Sequence, residues 1–89
     1  MAHRCHATAC STPVPREMLM CRRHWFMVPR GVRDDVWAAY RPGQCDDLNP
    51  SAAYCRAAKA AVIAVADRES VVPDTQLYDL FLARGAGVY

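Results

Sequence analysis

Four soft metal ligands stand in the first quarter of the chain, as Cys5-x4-Cys10-x10-Cys21-x2-His24. Thiolate and imidazole are donors that zinc takes, and four protein ligands close a tetrahedral site with no position left for water. The pattern predicts a structural zinc ion (Zn2+) on Cys5, Cys10, Cys21 and His24, and an N-terminal segment that folds around it. His3 and His6 are further imidazoles in the same segment and compete with His24 for the fourth position. His6 adjoins Cys5 directly and reads better as a solvated loop residue.

The metal answers a problem of size. Eighty-nine residues make one small domain, 1–89, and chains this short bury a limited core that a metal or disulfide often supplements. Over half the residues are hydrophobic, which argues against wholesale disorder, but many of these are alanines with little area to bury. Five cysteines cannot all pair. Three fall at ligand spacing, leaving Cys45 and Cys55 as free thiols or, less economically, a disulfide. Metal-bound thiolates imply a reducing compartment, so a cytoplasmic location is expected. The start MAHRCHATAC has no apolar core and the run 60–66 is too short to span a bilayer, so neither a signal peptide nor a membrane segment is expected.

The fold class read from the pattern is mainly α: a small zinc knuckle or short β-hairpin followed by about three short helices. Residues 1–28 would be the zinc-binding module and 29–89 the helical part packed on it. Pro13 and Pro15 exclude a helix between the second and third ligands, and 16–20 reads as a short extended piece. The run 21–27 reads as a short helix with Cys21 and His24 one turn apart on the same face. Pro29 ends it and suits the first turn of the next helix, where Val32, Val36 and Tyr40 share a face. Residues 42–50, PGQCDDLNP, form a polar loop. Asn49 or Ser51 would cap an alanine-rich helix over 52–68 with an apolar stripe of Tyr54, Ala58, Ala61, Val62 and Val65. After a break at 69–73, Asp74 or Thr75 would cap a last helix with Leu77, Leu80 and Phe81 on its inner side, stopped by Gly85 and Gly87. Trp25, Phe26 and Trp37 are expected to fill the seam between metal module and helices. Met18, Met20 and Met27 read as core fillers in preference to copper ligands.

Charge is distributed unevenly. Residues 1–33 carry six arginines against Glu17, whereas 34–89 carry five basic and eight acidic side chains. Arg16, Arg22, Arg23, Arg30 and Arg33 are the candidate face for a nucleic acid or a partner. The bland readings are a solvated face, ion pairs to nearby aspartates, or the arginine bias of a GC-rich genome. Catalysis is not expected: Glu17 is the only carboxylate in the first thirty-three residues, and there is no His-Glu-x-x-His, no deaminase signature, no Cys-x-x-Cys and no phosphate-binding glycine loop. Two functions stay open. The favoured one is a non-catalytic module for a protein partner; the alternative is a nucleic-acid-binding zinc finger using the arginine-rich face. Oligomeric state is open, with the alanine-rich face of 52–66 a surface that can meet a copy of itself.

The run MCRRHWFMVPRGVRDDVWAAYRPGQ (20–44), with CHATACSTPVP upstream, resembles a group of short bacteriophage and prophage proteins. In that group a Cys…Cys…Cys-x-x-His-Trp pattern precedes a Val-Pro helix and a Tyr-Arg-Pro-Gly-Gln turn. The resemblance covers roughly residues 5–66, leaving out 46–50 and the tail after Ser70. It implies a phage origin, the host cytoplasm, a host or phage factor as partner, and Cys5, Cys10, Cys21 and His24 as presumed ligands. It carries no established activity with it.

Overall fold

The computed structural model describes residues 3–15, 18–40 and 51–83. Two short strands, β1 (His3–Arg4) and β2 (Pro13–Val14), precede four helices: α1 (Arg22–Trp25), α2 (Arg30–Ala39), α3 (Ala52–Arg68) and α4 (Gln76–Ala83). The strands pair antiparallel, His3 opposite Val14 and Arg4 opposite Pro13. A small β-hairpin followed by helices is the mainly α class expected. The hairpin, however, flanks the first two ligands, where the sequence suggested an extended piece over 16–20. The reason is local: a strand pair closes the loop that carries Cys5 and Cys10, and the Cys5 amide extends it by donating to the Thr12 carbonyl at 2.9 Å. Arg16 and Glu17 lie outside the described residues.

Pro29 separates α1 from α2 and occupies the N-cap of α2, one residue before the expected first turn. Ser51 caps α3, its hydroxyl accepting from the Tyr54 amide at 3.1 Å. The expected loop 42–50, including Cys45, Asn49 and the Arg41 turn, lies outside the described residues, as do Gly85 and Gly87. At its other end α3 closes in a Schellman motif. Ser70 takes a left-handed φ of 57°, its amide donates to the Asp67 carbonyl, and that of Val71 donates to the Ala66 carbonyl. Glycine is the usual residue at this position. Ser70→Gly is therefore expected to raise stability by up to about 1 kcal/mol, read from the denaturant midpoint.

Helix α3 is the spine, packed by α2 on one side and α4 on the other. Cys55, Ala58, Ala61, Val62, Val65 and Ala66 are its buried face; four of these belong to the expected stripe, whereas Tyr54 is only half-buried and Cys55, a free thiol, takes its place. One cluster of buried residues joins Cys5, Ala7, Leu19, Met20 and Val28 to Val36 of α2, to the α3 face and to Tyr78 of α4. The ligand-bearing segment and the helices thus share a core.

Two apolar assignments differ from the sequence reading. Phe26 points to solvent, 61% exposed, and Trp37 is half exposed. In a helix that turns about 100° per residue His24 takes the inner face, and Phe26, the C-cap residue about 200° further on, falls opposite. Trp25 does reach the core and meets Trp37 edge-on, with ring centroids 6.3 Å apart. In α4 the inner face is Tyr78, Phe81 and Leu82, while Leu77 and Leu80 are exposed. The segment LYDLFL offers two apolar faces. The one that wins brings the Tyr78 hydroxyl to His6 Nδ1 and lets Asp79 accept from Lys59 Nζ at 2.6 Å. Both Asp74 and Thr75 serve the start of α4: Asp74 accepts from the Gln76 amide, and the Thr75 hydroxyl donates to Asp79.

Candidate metal centre

Each ligand is delivered by a different local device. Cys5 follows β1. Cys10 closes a tight turn, its amide donating to the Ala7 carbonyl at 3.1 Å, with Ala9 in the left-handed region at φ 64°. The His6 amide donates to the Leu19 carbonyl at 3.0 Å, tying this turn to the segment that leads into α1. Cys21 is the N-cap residue of α1 and His24 lies one turn on.

These devices converge. The Sγ atoms of Cys5, Cys10 and Cys21 and a ring nitrogen of His24 all lie within 4.8 Å of one another. His24 Nδ1 stands 3.2 Å from Cys21 Sγ and 3.6 Å from Cys5 Sγ. A tetrahedron with metal–sulfur bonds of about 2.3 Å and metal–nitrogen bonds of about 2.0–2.1 Å has edges of about 3.5–3.8 Å. The cluster has the size and donors to hold a metal ion. Cys5 and His24 are buried, whereas Cys10 and Cys21 are half-buried.

The other side of the imidazole is engaged as well. His24 Nε2 lies 3.1 Å from Glu69 Oε1, and Glu69 Oε2 lies 3.6 Å from an Arg23 guanidinium nitrogen. A carboxylate only accepts, so Nε2 carries a hydrogen, and in the neutral ring Nδ1 then keeps its lone pair on the side of the sulfurs. Nearby, Arg68 donates to the Met27 carbonyl at 3.5 Å. The C-terminal end of α3 is thus joined to α1 and the turn after it.

The electrostatics of the site are divided. Burial pushes the Cys5 thiol up to about 12. The Thr12 hydroxyl beside Cys10 holds that thiol down at about 7. Burial works against ionising Cys21, but hydrogen bonds from His24 outweigh it and bring its pKa below the ordinary value. Burial likewise opposes charge on His24, yet Cys21 and Glu69 together raise its pKa. A bound cation has to displace the Cys5 proton at any ordinary pH. Lowering the pH through 7 adds competition for Cys10. Metal affinity is therefore expected to fall as pH drops, by at least about tenfold per unit below pH 7, as measured by chelator competition across a pH series.

The remaining predicted residues are scattered. His3 Nε2 donates to the Met18 carbonyl at 2.8 Å, and His6 is bonded to Tyr78. Neither belongs to the cluster. His6 is half-buried instead of solvated, and its burial, with His3 nearby, lowers its pKa to about 4. Arg22, Arg23 and Arg30 are exposed and Arg33 is half-buried, while Arg16 lies outside the described residues. Arg23 lies beside Glu69, and the guanidinium carbons of Arg22 and Arg33 lie 5.9 and 5.3 Å from the centre of the Phe26 ring.

Glu69 is the residue that sequence reasoning missed, having read it only as the start of a helix break. One signal was present. The C-terminal end of a helix favours basic side chains, so an acid at the C-cap of α3 is out of place unless something nearby calls for it.

No family model, curated protein or solved structure matches the chain. Among the described residues no helix is long and apolar enough to cross a membrane.

Proposed function

We propose that the chain is a small structural-zinc module that binds a protein partner and catalyses no reaction. The donor set supports zinc: three thiolates and an imidazole are borderline-soft ligands, and four of them fill a tetrahedral shell, leaving no water to activate. Glu69 meets the outer nitrogen of His24, on the side away from the sulfurs, so it is not aimed at a metal-bound nucleophile.

The observation that carries the binding reading is Phe26. An aromatic ring more than half exposed, flanked by the guanidinium groups of Arg22 and Arg33, combines side-chain types that dominate the energetics of protein interfaces. Arg22 belongs to α1 and Arg33 to α2, and α1 is oriented by two of the ligands. On this reading zinc fixes the helix that presents Phe26. The resemblance to phage proteins makes a host or phage factor the first partner to seek. In a pull-down from host lysate, wild-type protein is expected to retain a partner that Phe26→Ser and metal-stripped protein both lose. Equal capture by all three would sink this reading.

The exposure of Arg22, Arg23 and Arg30 favours a second reading, nucleic-acid binding. That reading requires binding that weakens steeply with salt. A mobility-shift assay with no shifted species at low salt would end it.

A further inference from the structure

We infer that Glu69 is a positioning residue of the metal centre, holding His24 in the one tautomer and orientation that can ligate. The inference rests on the metal reading of the Cys5, Cys10, Cys21 and His24 cluster and deepens it.

The geometry is specific. An imidazole has two nitrogens, and a ligand nitrogen must present a lone pair while the other carries the hydrogen. Nδ1 of His24 faces two ligand sulfurs, and Nε2 faces a carboxylate oxygen at 3.1 Å. Free in water, the ring would populate both tautomers and several rotations about its side-chain bonds. The carboxylate selects the form with hydrogen on Nε2, fixes the plane of the ring, and makes Nδ1 a better electron-pair donor.

Glu69 is itself held in place. It is the C-cap residue of α3, and the Schellman motif through Ser70 and Val71 fixes its backbone. The buried face of α3 then sets where the helix ends relative to α1. Only 23% of the carboxylate side chain is exposed, and its second oxygen meets Arg23. Arg23 is 77% exposed, so it partly offsets the charge of Glu69 but has little hold on its position. A surface ion pair alone would not require a buried imidazole as its partner. An orienting contact does.

The test compares Glu69→Ala and Glu69→Gln with the wild type in zinc affinity, measured by competition with a chromophoric chelator. Circular dichroism at saturating zinc checks the fold in the same samples. Long-range 1H–15N correlations of the His24 ring supply the readout that a purely structural contact would not move. Wild type is expected to show hydrogen on Nε2 and zinc on Nδ1. Glu69→Ala should lose affinity by about 10–100-fold with the zinc-saturated fold kept. Its Nε2 hydrogen signal should broaden as solvent replaces the carboxylate. Glu69→Gln, whose amide oxygen can still accept, should fall between. Affinity in both variants within about twofold of the wild type, with the ring signals unchanged, overturns the inference. If Glu69→Ala does not fold even with zinc, Glu69→Gln decides on the same two readouts. Failure of the wild type to take up zinc stoichiometrically defeats the metal reading itself, and so is told apart from failure of Glu69.

Discussion

Cys21→Ser is expected to abolish stoichiometric zinc uptake and to remove most of the stability of the fold. Apparent free energies for structural zinc in small modules are about 10–16 kcal/mol near neutral pH, against about 5–15 kcal/mol for the whole stability of a typical domain. The regular structure of the N-terminal segment itself is slight. Its strands are two residues each and α1 is four, far below what stands alone in water. Cys21 occupies the N-cap of α1 and is also the sulfur nearest His24 Nδ1, so its loss removes a ligand at the point where the helix starts. Damage should spread, because Cys5, Ala7, Leu19 and Met20 belong to the same core as the α3 face. Zinc content by elemental analysis, with thermal melts before and after chelation, checks this. The near-ultraviolet signal of Trp25 and Trp37 should collapse while α3 retains part of the far-ultraviolet helix signal. Full zinc content and an unshifted melt in Cys21→Ser would refute the assignment.

Met20→Ala is expected to cost about 2–5 kcal/mol. Met20 is 1% exposed and is the largest of the fully buried side chains among the described residues. It sits between Leu19, whose carbonyl accepts from His6, and the candidate ligand Cys21. Truncation would leave a cavity in the core that the N-terminal segment shares with the helices. Phe26→Ala supplies the contrast, because an exposed ring stabilises the fold little and its removal should stay within about 0.5 kcal/mol. Denaturant midpoints at saturating zinc measure both. Equal losses in the two variants would mean that the core has been drawn in the wrong place.

Much of this molecule could be read from its sequence where one signal acts alone. Ligand spacing picked out Cys5, Cys10, Cys21 and His24, and alanine periodicity with Asn49 or Ser51 as cap marked out α3 and most of its buried face. The reading failed where two local solutions compete. The segment LYDLFL offers two apolar faces, and only the partners His6 and Lys59, remote in sequence, choose between them. Phe26 and Trp25 are equally apolar neighbours, and the phase of a four-residue helix set by His24 decides which is buried. Glu69 left only the hint of an acid at a helix C-terminus, because nothing near it in the chain reveals that the far end of α3 comes to rest on α1.

The alanine face of α3 has a consequence for how the protein responds to temperature. Ala58, Ala61 and Ala66 are wholly buried, yet each removes only a methyl group from water. The heat capacity gained on unfolding grows with newly wetted apolar area, at about 0.45 cal/K/mol per Å², so a core of this make-up yields a small increment. Stability then varies along a shallow, broad curve, with its maximum poorly defined and cold unfolding pushed far below freezing.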